Sequence, residues 1–177
     1  MIETLNLAIN RANIKINNKF VREQLSLNKE NIISPRERLL KLEKEGRYVF
    51  HGSTFSIDCL EPRQAYNNNK KDGLPAVFAT PFADVAIYRS LINGNNLKEL
   101  SINEFGLTKK GLYFKTSKNL LDFAQNLTAK VYVLNREKFE DFKGTQCRSR
   151  EPIIPIEMVE VTAKDLPSNI EIIEAKG

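Results

Sequence analysis

One histidine, two cysteines and no tryptophan stand among the 177 residues. The lone His51 excludes any mechanism that needs two imidazoles. Cys59 and Cys147 lie far apart and match no metal or redox spacing, so sites built on several His or Cys ligands are excluded with it. The two cysteines read as free thiols in a reducing cytoplasm. Long apolar runs are also missing: none approaches the roughly 18 residues that span a bilayer. The opening stretch, MIETLNLAINRANIKINNKF, has Glu, Asn, Arg and Lys among its apolar positions. It carries no small-residue cleavage site and does not read as a secretory signal. These absences predict a cytoplasmic protein with no resident metal and no membrane partner. Internal repeats are absent, and the only biased tract is Asn67-Asn68-Asn69-Lys70-Lys71.

The length suits one domain, long enough to bury about 70% of the surface that the unfolded chain exposes. The net charge of +5 favours anionic partners such as nucleotides, nucleic acid or acidic proteins. Residues 1–45 read as a helical extension, with Leu5, Ile9 and Ala12 at helical spacing. Ser34-Pro35-Arg36-Glu37 is a helix start: a hydroxyl acceptor, a proline where no N–H is needed, and a glutamate placed for a capping box. Gly46 supplies a left-handed stop.

Beyond Gly46 the pattern changes, and residues 46–177 form the main domain. Tyr48-Val49-Phe50 predicts a buried strand and Ala76-Val77-Phe78-Ala79 a second, with a polar stretch rich in turn residues between them. A helix is expected from Phe82 to Leu91 and another over 118–126. Further strands are expected over 111–115, 130–134, 153–156 and 157–161. Strands and helices mix without a regular alternation, which points to an α+β domain.

Three motifs carry chemistry. Phe50-His51-Gly52-Ser53 places a polar ring at a strand end, followed by a glycine that allows close approach to the backbone. Ala76-Val77-Phe78-Ala79-Thr80-Pro81-Phe82-Ala83-Asp84-Val85-Ala86-Ile87-Tyr88 runs from a buried strand through a tight turn into a helix bearing a tyrosine. Ser149-Arg150-Glu151-Pro152-Ile153-Ile154 sets a lone carboxylate before a short apolar run.

In combination, over about residues 47–161, these motifs resemble the donor site of poly(ADP-ribose) polymerases and related ADP-ribosyltransferases. The resemblance implies split antiparallel sheets and NAD as co-substrate, with no metal. It implies that His51 bonds a ribose hydroxyl, that Gly52 and Ser53 hold the nicotinamide carboxamide, and that Tyr88 stacks on the nicotinamide ring beside Phe78-Ala79. Glu151 would then be catalytic. Cleavage of the glycosidic bond builds positive charge on the ribose, and a carboxylate stabilises that charge. The sequence departs from the family at Val77, where the family has a second aromatic ring. Ser149 stands where arginine-modifying relatives carry Glu, so arginine is a poor choice of acceptor.

Arg63, Lys70 and Lys71 lie in the polar stretch and could close over a pyrophosphate. Arg148 and Arg150 flank Glu151. The acceptor, protein or nucleic acid, and the oligomeric state are left open, and a toxin or phage protein would look the same. Two alternatives compete with the transferase. One is an enzyme like the RNA 2′-phosphotransferases. The other is an inactive module that binds NAD or nucleic acid.

Overall fold

The computed structural model describes residues 33–67, 70–92 and 102–174. The helices expected within residues 1–32 lie outside them. The chain divides into two compact units, Met1–Ser34 and Pro35–Gly177. The second contains every element below, including the helix that the sequence assigned to an N-terminal extension.

Its order is α1 (Pro35–Lys44), β1 (Tyr48–Ser53), β2 (Arg63–Asn67), β3 (Lys70–Ala79), α2 (Ala83–Leu91), β4 (Asn103–Thr108), β5 (Gly111–Ser117), α3 (Lys118–Ala124), β6 (Thr128–Asn135), β7 (Glu140–Asp141), β8 (Cys147–Ser149), β9 (Glu157–Thr162) and β10 (Ile170–Ile173). The strands form three sheets, ordered β1-β6-β9, β10-β5-β4 and β2-β3-β8-β7. All neighbours are antiparallel except β10 and β5. The fold is α+β.

The β1-β6-β9 sheet is the centre of the unit, because alternate residues along its strands serve two different cores. Phe50, Val131, Val133, Val159 and Val161 turn one way and pack with Leu39 of α1, Val85 and Tyr88 of α2, Leu120 of α3 and Phe114 of β5. Val49, Tyr132 and Leu134 turn the other way and pack with Val77 and Ala79 of β3, Cys147 of β8 and Ile153. Both cysteines are free thiols.

Gly52 lets α2 lie directly on β1. A Cβ there would stand 2.2 Å from the Ala86 carbonyl oxygen and 2.9 Å from Ser90 Cβ. The start of α2 is held by α1: the Ala83 N–H donates to Glu43 Oε2 at 2.6 Å, and Arg36 pairs with Asp84 through two bonds of 2.8 and 2.9 Å. This satisfies one of the free donors of the first helical turn. Gly46 has a φ of +69°, and its N–H donates to the Glu43 carbonyl, closing α1 where the sequence predicts.

Two expectations need correction. The strand expected over 153–156 is a single bridge, Ile153 to Leu60. Pro152 and Pro155 lack the N–H groups that a ladder requires. The polar stretch before Ala76 is not all loop. From Arg63 onward it pairs back on β3 as a hairpin, with a register shift between Arg63 and Ala65.

Candidate functional site

The site begins where β1 parts from β3. Among the described residues, β1 and the β3 segment exchange backbone hydrogen bonds at one point, at Thr80 just after β3: the Phe50 N–H donates to the Thr80 carbonyl at 2.8 Å, and the Thr80 N–H to the Phe50 carbonyl at 2.9 Å. One residue on, the backbone pairing is replaced by a side chain. His51 Nδ1 stands 2.7 Å from the Phe78 carbonyl oxygen. On the same edge of β3, pairing resumes at Ala76, now with Arg63 of β2. The gap between Thr80 and Ala76 opens a cavity of about 790 Å3, a size within the usual range for small-molecule sites.

Its wall is contributed by His51 and Ser53 of β1, the segment from Phe55 to Glu61, Arg63 and Gln64 of β2, Ala76-Val77-Phe78 of β3, and Arg89 of α2. The segment between β1 and β2 is pinned at both ends. The Tyr132 hydroxyl donates to the Phe55 carbonyl and accepts from the Ile57 N–H, each at 2.8 Å. Farther along, Leu60 and Ile153 exchange backbone bonds of 2.8 and 2.9 Å.

His51 has a defined protonation state. A carbonyl oxygen can only accept, so Nδ1 carries the proton and Nε2 is left as an acceptor in the neutral ring. Burial lowers the His51 pKa, and the charges of Arg89 and Arg63 lower it further against the raising effect of the Phe78 bond. The ring is therefore neutral at pH 7 and able to accept from a hydroxyl. Ser53 Oγ accepts from the Phe55 N–H at 3.1 Å. Cys59 lines the same wall, and burial together with Glu61 raises its thiol pKa, keeping it protonated.

The residues singled out by sequence divide into three groups. His51, Ser53, Arg63 and Phe78 share the cavity. Gly52 and Ala79 line only a small notch of about 40 Å3 behind it, with Phe50, Thr80 and Ala86, while His51 and Arg89 border both spaces. Val77 adds an apolar patch to the wall and brings no aromatic ring.

Tyr88 and Glu151 are placed elsewhere. Tyr88 is completely buried, its ring against Phe114 and Phe105 at 5.0 and 6.0 Å between centroids, and its hydroxyl donates to the Lys115 carbonyl at 2.6 Å. Desolvation pushes its pKa up to about 12. The expected stacking role has no counterpart here, because the phase of α2 turns Tyr88 toward the core and the next residue, Arg89, toward the cavity. Glu151 is exposed in the turn after β8, on the opposite edge of β3 from His51, and does not line the cavity. Its connection to the site is indirect, through the Ile153–Leu60 bridge.

Arg148 is already engaged: it pairs with Glu140 at 2.6 Å and lies 4.3 Å over the Phe142 ring, which in turn tilts against Phe78. Asp58, Glu61 and Arg89 line the wall and were not singled out by sequence. Their only sequence signal is a position within or beside a motif, which does not fix the direction of a side chain. Among the described residues, no helix is long and apolar enough to cross a membrane. No protein-family model matches the chain, and neither a curated protein nor a solved structure matches it.

Proposed function

We propose that the cavity binds NAD and that the protein transfers ADP-ribose from it to a macromolecular acceptor. The observation that carries this reading is the neutral His51, held with Nε2 as acceptor in a cavity large enough for a dinucleotide and bordered by Arg63 and Arg89. A ribose hydroxyl donates to Nε2, the guanidinium groups meet the pyrophosphate, and Ser53 lies beside them for an amide. The ordered His-Gly-Ser and Phe-Ala motifs support the same assignment.

In the reaction, the bond between ribose C1′ and the nicotinamide nitrogen breaks and its electron pair leaves with neutral nicotinamide. The acceptor atom bonds to C1′ and releases its proton to solvent. Positive charge builds on the ribose, and the resemblance gives Glu151 as the carboxylate for it, although that side chain does not line the cavity. Asp58 and Glu61 of the wall are the competitors for this role.

The test is nicotinamide release from NAD by the purified chain. His51→Ala lowers it by about 100-fold if the imidazole positions the donor. Loss of release in Glu151→Gln would keep the carboxylate role with Glu151, whereas loss in Asp58→Asn or Glu61→Gln would move it to the cavity wall. Release that is unchanged in His51→Ala would remove the cavity from the reaction. A second reading, NAD binding without turnover, is favoured by the placement of Tyr88 in the core and Glu151 outside the cavity. It predicts heat of NAD binding with no nicotinamide released over hours.

A further inference from the structure

Arg89 is one residue beyond Tyr88 on α2 and three beyond Ala86. In a helix of 3.6 residues per turn this sets it on the Ala86 side, the side that lies against Gly52 of β1. Its side chain continues past Gly52 to border both the cavity and the notch behind His51. A guanidinium has five donors and no acceptor, so it needs oxygen partners.

Other arginines have them. Arg36 pairs with Asp84, Arg38 with Glu157, Arg47 with Glu45, Arg136 with Asp141 and Arg148 with Glu140. Arg89 pairs with no carboxylate among the described residues, and its guanidinium carbon lies 5.5 Å from the centre of the Phe105 ring. Arg89 is exposed, and the protein atoms lining the cavity beside it lower its pKa by partial desolvation. An exposed guanidinium at the edge of a cavity, with no carboxylate holding it among the described residues, is free to meet an anion that enters there. Asp58 and Glu61 share the wall without forming an ion pair with it.

We infer that Arg89 anchors a phosphate site at the His51 end of the cavity, which selects nucleoside diphosphates over the uncharged nucleoside. Arg63 of β2 supplies the second positive charge. The neutral His51 suits the sugar hydroxyl next to the phosphates, and Phe55 and Phe78 give the wall aromatic surface for a base. The anion site stands on the geometry of Arg89 alone; its use for the pyrophosphate of NAD rests on the reading above.

The experiment is calorimetric titration of the full chain with ADP and with adenosine, for wild type, Arg89→Met, Arg89→Lys and the exposed control Arg150→Met. Wild type should bind ADP at least tenfold more tightly than adenosine. Arg89→Met should lose that preference while adenosine affinity is unchanged, and Arg89→Lys should keep part of it. Arg150→Met should behave as wild type. In wild type, ADP affinity should also fall as salt is raised, and this readout does not depend on any variant folding.

Equal affinity for ADP and adenosine, no ADP binding by wild type, or an Arg89→Met variant that binds ADP like wild type would overturn the inference. ADP binding as described, with no release of nicotinamide from NAD, would leave the phosphate site standing and remove the transferase reading.

Discussion

The two faces of β1 make opposite demands on one six-residue strand. Toward α2, Phe50 is fully buried and Gly52 touches helix backbone, so nothing larger fits. On the other face, Val49 is core, but His51 and Ser53 look into open space once β3 has parted from the strand. Alternation along a strand is what allows this. Every second residue fixes the fold, and those between are free to carry chemistry. The difference teaches that His51 and Gly52, adjacent in one motif, are there for separate reasons.

The largest effect should come from filling the tight face. Gly52→Ala drives a Cβ into the Ala86 carbonyl and should cost about 3 kcal/mol, read as a lower urea midpoint. Any substantial tolerance of alanine would mean that α2 is free to lift off β1. Tyr88→Phe should cost about 1–2 kcal/mol, because the Lys115 carbonyl loses its donor inside the core. ADP and NAD affinity should not change, and a variant with normal stability but weak NAD binding would restore Tyr88 to the site.

On the cavity face, a smaller, pH-dependent effect is expected. Folding lowers the His51 pKa from 6.5, so below that pH the unfolded chain binds a proton that the native ring resists. Stability from this group is fully present above pH 6.5 and declines as pH falls through the window down to the lowered native value. His51→Gln should remove this dependence, so the wild-type minus variant stability difference should fall as pH drops through that window. A constant difference across it would show that the ring titrates normally.

The long periodic elements were legible in the sequence. The helix from Pro35 has its proline start and Gly46 stop, and the strands at Tyr48 and Ala76 are apolar runs beside turn residues. The edge strand Asn103–Thr108 was not, because NEFGLT is largely exposed and carries no alternation. Cys147–Ser149 is a three-residue strand created by its pairing with Val77–Ala79, a contact between distant segments that no local pattern encodes.

In the site, His51, Ser53 and Phe78 were legible because strand residues leave few directions for their side chains, whereas Arg63, read in a loop, is brought to the same cavity by a hairpin that the sequence did not show. Tyr88 and Arg89 were not told apart. Adjacent helical residues point about 100° apart, and only the packing of α2 against β1 and β5 decides which one reaches the core. The carboxylate was ambiguous for a related reason: a turn after a short strand does not fix which edge of the neighbouring strand it serves.

His51 is the chain's sole imidazole, and its ring stands where β1 and β3 stop bonding to one another. The protein thus carries an internal probe in the one place where its two central strands separate. Histidine ring resonances in a nuclear magnetic resonance spectrum have a single source, with no overlap to resolve and no assignment to make. Any widening or closing of the cleft that disturbs the bond to Phe78 registers on that one ring, without a label or a substitution.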